Sequence, residues 1–363
     1  MLSENRKSAD PFDLAHHCWA PPRQRDRTFA DRMAILSSKL RSLTLHRTTR
    51  VPYGARRRDI IAFLNKTRPD VILAEFGNVA MRIAPVANQL GLPIFCYFRG
   101  ADASSQLRMP LRAAAYRRMM PRLDGVFSVS QFLLDELADN GASHPNSHVV
   151  PSGVNTDLFM PGTKKPGSIL AVGRLIEKKR PDITLRAFCE TAKQVPDITL
   201  DVVGDGPMRE TCEEIARAYD MCDRITFHGA KPHGYVKSML AQSEVFVQHS
   251  VRAKNGSTEG LPTAIQEAMS CGMAIVSTRH AGIPEAVTEA VNGYLVPEGD
   301  VDGYQRAILR LAVDRQLVRA MATTNRQKAV DCYDNRKLIK IVEREIITAA
   351  NERRQLIAQR RPG

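Results

Sequence analysis

No Cys-x-x-Cys pair occurs in this chain; its seven cysteines (Cys18, Cys96, Cys189, Cys212, Cys222, Cys271 and Cys332) are odd in number and dispersed. That pattern excludes a disulfide framework and a zinc site of ordinary spacing, and it reads as a set of reduced thiols. No stretch reaches the roughly 18 apolar residues that a bilayer span requires. The opening MLSENRKSADPF lacks an apolar core of signal-peptide length. Secreted, membrane-spanning and disulfide-stapled classes are excluded, and a cytoplasmic location is expected. Acidic charge is in short supply, with 39 Asp and Glu against 52 Lys and Arg, a net charge of +13. The excess is denser in residues 1–160, at +8 (22 basic minus 14 acidic), than in the rest, at +5 (30 minus 25). Such a balance suits an anionic partner. Nucleic acid is not expected, because no aromatic–basic interleaving or binding motif accompanies the charge.

What is present points to two α/β units. A length of 363 residues is too great for one small core, and 43% apolar with 25% charged residues is an ordinary globular balance. Residues 1–50, interrupted by Pro11, Pro21 and Pro22, carry no strand-like run. From about Asp59 helical patterns alternate with short apolar runs, VILAEF (71–76), PIFCYF (93–98) and GVFSVS (125–130). This alternation predicts a parallel sheet covered on both faces. Three prolines and three glycines in VVPSGVNTDLFMPGTKKPG predict a linker near residue 150. A second alternating series follows: SILAVG, a helix from Pro181 to about Lys193, ITLDVVG, RITFHG, VFVQHS and AIVST. From Asn335 a basic amphipathic helix ends the chain. The expected division is therefore 1–155, 156–335 and a terminal helix, 336–363, crossing back toward the first domain. Two such domains leave a cleft between them, the usual place for a ligand.

Three segments of the second half carry suitable chemistry. In AVGRLIEKKR a strand ends at Gly173, which permits close approach, and Arg174 and Lys179 supply fixed positive charge for an anion. In VVGDGP a strand runs into Gly204, at the sheet end where doubly wound folds present ligands. In TEGLPTAIQEAMSCG, Pro262 suits a first helical position, and the amides around Leu261, Thr263 and Ala264 face out of a helix start. Glu259 in the loop and Glu267 on the helix flank that start, as acceptors for sugar or ribose hydroxyls.

The ordered set GRLIEKK, VVGDGP, EGLPTAIQE and GIPEAV…NGYLVPEGD resembles the retaining glycosyltransferases of the GT-B fold, family 4, with Glu259 and Glu267 meeting the E-x7-E spacing. SVSQFLLDELADNGA and VVPSGVNTDLF are also similar to the family, and FRGAD resembles the H-G-x-D element of exopolysaccharide and lipopolysaccharide assembly transferases. The resemblance covers over three-quarters of the chain, from about Pro69. It implies two Rossmann-like domains facing a cleft. It also implies a UDP- or GDP-sugar donor, no cofactor and no metal, and a saccharide or lipid-linked acceptor in surface polysaccharide assembly. By the same resemblance Arg174 and Lys179 grip the donor diphosphate, Glu267 binds the ribose and Glu259 lies at the hexose. Gly260 and the amides after it hold sugar hydroxyls or the distal phosphate. Retention is expected to run by same-face attack, with the leaving phosphate taking the acceptor's proton, so that positioning and electrostatics carry the reaction.

The chain departs from the family pattern in places. Arg99 stands where relatives place histidine, so Arg99 and Asp102 are sugar contacts or, for Arg99, a contact to the diphosphate or an ion pair with Asp102 or Glu75. The only glycine before Gly77 is Gly54, so the first strand and glycine-rich loop of the N-terminal domain are expected to be missing. Those two departures support an alternative, a non-catalytic GT-B protein that binds nucleotide or serves as a partner subunit. Arg180 replaces a usual glycine and Asn155 a usual aspartate. Finally, LRMPLRAAAYRRMMPRL (107–123) holds Arg108, Arg112, Arg117, Arg118 and Arg122 and no acid, with Leu111, Ala115 and Met119 at four-residue spacing. It reads either as a helix for an anionic membrane surface or as a core-facing helix with solvated arginines.

Overall fold

A computed structural model describes residues 29–359. Residues 1–28, including Cys18 and the three early prolines, lie outside that range. The first sheet has four parallel strands in the order β1 (Ile72–Glu75), β2 (Ile94–Phe98), β3 (Gly125–Ser128) and β4 (Ser147–Val149). Three coincide with the apolar runs seen in the sequence; β4, three residues long and only partly buried, was not anticipated. Among the described residues no strand precedes β1, which forms an open edge with Leu73 36% exposed. β2 is central, and all five of its residues IFCYF are buried, as a parallel strand covered on both faces must be. Helices α1 (Phe29–His46), α2 (Gly54–Thr67), α3 (Gly77–Gln89), α4 (Pro110–Met119) and α5 (Gln131–Asp139) accompany this sheet. Ser130 caps α5 by accepting from the Leu133 amide.

The presumed stripe of 107–123 is largely consumed by packing. Ala115 and Met119 are buried in the core of the first domain, while Leu111 is 65% exposed. The membrane reading therefore loses two of the three apolar residues on which it stood. Other exposed apolar side chains of this domain sit on α1, at Met33, Leu36, Leu40 and Leu45, and elsewhere at Leu73, Phe76, Val79 and Met109.

The second sheet has six parallel strands, β5 (Ser168–Val172), β6 (Thr199–Val203), β7 (Ile225–Gly229), β8 (Val245–Val247), β9 (Ala274–Thr278) and β10 (Gly293–Val296). Their order, β10-β9-β8-β5-β6-β7, reverses between β5 and β8. That reversal opens a crevice at the carboxyl ends of these two strands, where open α/β sheets bind ligands. The helices of this half are α6 (Pro181–Ala192), α7 (Arg209–Ala218), α8 (His233–Gln242), α9 (Thr263–Ser270), α10 (Ile283–Ala286), α11 (Val301–Val313) and α12 (Arg315–Cys332). Pro181 occupies a first-turn position of α6, where its missing N–H is harmless.

The chain crosses between domains twice, and the crossings lie side by side. Val154 bridges Asp334, whose carboxylate takes hydrogen bonds from Thr156 and Arg336. The last helix, α13 (Asn335–Gln359), buries Leu338 and Val342 in the first domain's core. Its Arg354 pairs with Asp70 at 2.6 Å. The six described cysteines are all free thiols, four of them buried. Among the described residues no helix is long and apolar enough to cross a membrane.

Candidate active site

Two strand-end turns form the floor of the crevice. β5 runs into Gly173 and Arg174, and β6 into Gly204. Only glycine fits at 204: with φ +148° its Cβ would lie 1.9 Å from the Gly173 carbonyl oxygen. Its amide is already used by the Gly229 carbonyl at 2.9 Å. Gly204, expected to bind the donor, therefore shapes the floor by letting the two turns touch. Gly173 lies against the Lys179 side chain, whose Cε would be 3.7 Å from an added Cβ, and Arg174 is exposed at the same edge. A shallow cavity is lined by Gly173, Arg174, Leu175, Lys179 and Gln248.

Lys179 ends a short turn, Glu177–Lys179, which delivers its ammonium to Glu259. Lys179 Nζ lies 3.3 Å and Lys178 Nζ 3.4 Å from the same oxygen, Glu259 Oε1. Both lysines and the carboxylate are mostly removed from water, with side-chain exposures of 12–18%. Burial lowers the Lys179 pKa, with Glu259 opposing. Burial alone would raise Glu259, but Lys179 and Lys178 outweigh it and hold the carboxyl below its usual range. The turn also explains the residue after the lysine. Arg180 sits at φ +35°, a left-handed conformation natural to glycine, and is held there by a bidentate pair with Asp182 at 2.9 and 2.7 Å.

Glu259 opens the segment that leads into α9. Its own amide donates to His280 Nε2 at 3.1 Å, and His280 Nδ1 donates to Glu298 at 2.5 Å, so a buried imidazole fixes the loop. At Gly260 an added Cβ would lie 2.4 Å from Val129 and 2.9 Å from the Arg99 carbonyl, so the loop packs directly on the first domain. Leu261 and Pro262 are buried and Thr263 is exposed at the helix start. Among the described residues no acceptor takes the amides of Leu261, Thr263 or Ala264, leaving a helix amino end with free donors and its positive dipole end. One turn on, Glu267 is buried and accepts from His233 Nε2 at 3.1 Å. Burial raises its pKa, with the His233 hydrogen bond opposing.

Gly173, Arg174, Lys179, Glu259, Gly260, Leu261, Pro262, Thr263 and Glu267 are thus gathered around one crevice. Asp102 is not a free side chain: it is 3% exposed, and its carboxylate accepts the amides of Gly77, Arg99 and Gly100 at 3.0, 3.1 and 3.0 Å. Those bonds fold its own loop and hold the carboxylate inside the first domain, away from solvent. Of the partners open to Arg99, the structure selects Glu75, at 2.6 Å, with Ser152 at 3.2 Å and the Tyr97 ring beneath the guanidinium. Sequence reasoning missed Lys178, His233, His280 and Glu298. Lys178 adjoins Lys179 in the motif and was overlooked; the other three become visible only in three dimensions. No group of three or more His, Cys, Asp or Glu among the described residues is placed to hold a metal ion.

The domains meet around this loop. Glu285, from the start of α10, accepts the α5 amides of Gln131 and Phe132, each at 3.0 Å, and Arg252 pairs with Glu136 at 2.7 Å. The Thr258 amide donates to the Ser104 hydroxyl at 3.3 Å.

Residues 159–328 match the family model of glycosyl transferases group 1, and residues 15–158 match that of glycosyltransferase family 4. The glycosyltransferase WcaL of Escherichia coli K12, assigned to colanic acid biosynthesis, is 31% identical over 278 residues, 73% of this chain and 68% of its own length. This chain belongs to the group 1, family 4 glycosyltransferases. The glycosyltransferase is also 28% identical to AmsK of Erwinia amylovora, an amylovoran biosynthesis glycosyltransferase, over 94% of this chain and 89% of that one. Its fold matches the Anabaena protein Alr3699/HepE, solved in complex with UDP, with a TM-score of 0.68, 18% identity, and coverage of 80% and 82%. The two facing α/β domains of the glycosyltransferase are those of the GT-B architecture.

Proposed function

We propose that this glycosyltransferase moves a hexose, with retention and without a metal, from a UDP- or GDP-sugar to a saccharide or lipid-linked saccharide in surface polysaccharide biosynthesis. The observation that carries the reading is the convergence of the Lys178 and Lys179 ammonium groups and the unfilled amides of the α9 start beside Glu259. Such a set suits a diphosphate, because two cations and a helix amino end neutralise charge that grows as the glycosidic bond breaks. In this reading Arg174 and Lys179 hold the diphosphate, and the pairing with Glu259 keeps Lys179 poised until the donor enters. Glu267, one turn along α9, accepts from the ribose hydroxyls, with His233 orienting its carboxylate. Glu259 meets the hexose. The leaving phosphate oxygen takes the acceptor's proton as the new bond forms on the same face, so no protein nucleophile enters the step.

The names of WcaL and AmsK support exopolysaccharide assembly as the setting, and the UDP in the Anabaena complex supports a uridine donor. Work at the cytoplasmic face of an anionic membrane belongs to the same reading. It is supported by the basic excess of the first half and by the exposed Leu36, Leu40, Met109 and Leu111. The test is transfer or hydrolysis of UDP- and GDP-sugars in the presence of membrane extract. Turnover that falls sharply in Lys179→Ala and Glu267→Ala is the expected result, and undiminished turnover contradicts these roles. Nucleotide binding without turnover across the donor panel supports the alternative of a non-catalytic GT-B protein.

A further inference from the structure

The segment that carries Glu259 has no regular structure of its own. Between β8 and α9, residues 248–262 form neither helix nor strand. The direction of the Glu259 carboxylate is therefore set by what grips the backbone around it. Two bonds from one neighbouring segment do so. The Glu259 amide donates to His280 Nε2 at 3.1 Å, and the Gly282 amide donates to the Gly260 carbonyl at 2.9 Å. The two segments are in direct contact, since a Cβ at Gly282 would lie 2.4 Å from the Gly260 carbonyl oxygen. Residues 280–282 thus brace the chain before and after the Glu259–Gly260 peptide.

An amide can only donate, so His280 Nε2 must accept and the ring proton must sit on Nδ1. Glu298 enforces that tautomer, because its Oε1 accepts from Nδ1 at 2.5 Å. The other oxygen of Glu298 accepts the Arg252 amide at 2.8 Å, and the Arg252 guanidinium reaches Glu136 of α5 at 2.7 Å. One line of bonds therefore joins the first domain to the Glu259 backbone. A buried amide needs an acceptor, and a backbone carbonyl would serve. A buried imidazole held by a carboxylate fixes the direction of the amide as well. What this brace aims is a carboxylate with capacity to spare. Glu259 Oε1 is buried and meets Lys178 and Lys179 only at 3.4 and 3.3 Å, with no hydrogen-bond partner among the described residues.

We infer that His280 and Glu298 are positioning residues, which hold the Glu259 carboxylate where the hexose of the donor meets it. The inference rests on the proposed glycosyl transfer and adds to it the residues that aim Glu259. Both side chains act through Glu259, so their effect falls on the sugar, while Arg174, Lys179 and Glu267 hold the nucleotide.

The test is steady-state kinetics and calorimetry of the full chain as wild type, His280→Leu, His280→Gln and Glu298→Ala. The probes are UDP with UDP-glucose and GDP with GDP-mannose. In His280→Leu and Glu298→Ala, kcat is expected to fall about tenfold to a hundredfold, the scale of a small misplacement near the reacting atoms. Affinity for the bare nucleotide should change less than about twofold, and affinity for the nucleotide sugar should fall relative to it. The Gln amide oxygen stands as many bonds from the backbone as Nε2 does, so His280→Gln can still accept from the Glu259 amide and should recover most of the loss. If His280→Leu does not fold, Glu298→Ala against His280→Gln carries the test. An unchanged kcat, a loss that His280→Gln does not recover, or an equal loss of nucleotide affinity overturns the positioning role. A wild type that binds nucleotide and turns over neither donor fails the functional reading. The variants' affinity for each nucleotide sugar relative to its nucleotide then decides the positioning role. A chain that binds neither nucleotide overturns both.

Discussion

The two domains share a parallel-sheet plan and differ in how they handle charge. In the second, charged groups beside the crevice are matched: Lys178 and Lys179 face Glu259, Arg180 is forked onto Asp182, and His280 sits between Glu298 and the Glu259 amide. Its six strands reverse order once, and the crevice opens at that reversal. In the first, four strands end in an open edge at β1, and Arg82 and Arg112 stand without carboxylates among the described residues. A half whose charges are mutually satisfied is organised before a ligand arrives. In the proposed function donor chemistry belongs to the second domain and acceptor recognition to the first.

The largest expected effect breaks that division most sharply. Lys179→Ala removes the cation nearest Glu259, and turnover of nucleotide sugar should fall about 100- to 1000-fold, the scale seen when one preorganised transition-state donor is deleted. Steady-state kinetics check it. Next comes acid stability, which should be weakened by the second domain's core. His249 is fully buried, its Nε2 accepting from the Gly299 amide, and burial holds its pKa at about 4. The unfolded chain therefore takes up this proton first, so the contribution is complete above about pH 6.5 and lost as pH falls to 4. That loss is about 3 kcal/mol. Urea titrations at pH 7 and pH 4 should show it, and His249→Gln should remove it.

Glu267→Ala should then raise the dissociation constant for UDP or GDP about tenfold to a hundredfold, read by calorimetry, through loss of a charged acceptor for the ribose. Glu285→Ala uncaps α5 from across the interface and should cost about 1 kcal/mol of stability, measured by denaturant unfolding, without changing nucleotide affinity. The smallest effect belongs to the open edge: Leu73→Lys, at a solvent-facing position of β1, should leave stability within about 0.5 kcal/mol.

The strands legible in the sequence were those whose residues are apolar and contiguous, because burial on both faces of a parallel sheet writes an unbroken run. β4, with every residue only partly buried, left no such mark. The crevice residues were legible for a related reason: glycine, proline, lysine and glutamate recur at spacings that a strand-end turn and a helix start impose. Asn155 shows the same economy, since its side chain accepts the Asp157 and Leu158 amides just as an aspartate would. Asp102 shows a local bond that the sequence hides: a carboxylate after glycine looks free, whereas three nearby amides donate to it. His280 and Glu298 were invisible, since they act through a contact across 21 residues and then 18 more. α4 stayed open in the sequence for a physical reason: a stripe spaced for a helix does not reveal whether core or surface will cover it.

A crystal structure of the chain with UDP or GDP bound tests the central claim most directly. The account predicts the phosphates against Lys179, Arg174 and the amides of the α9 start, with the ribose hydroxyls on Glu267. A nucleotide seated elsewhere, with those groups unoccupied, contradicts it.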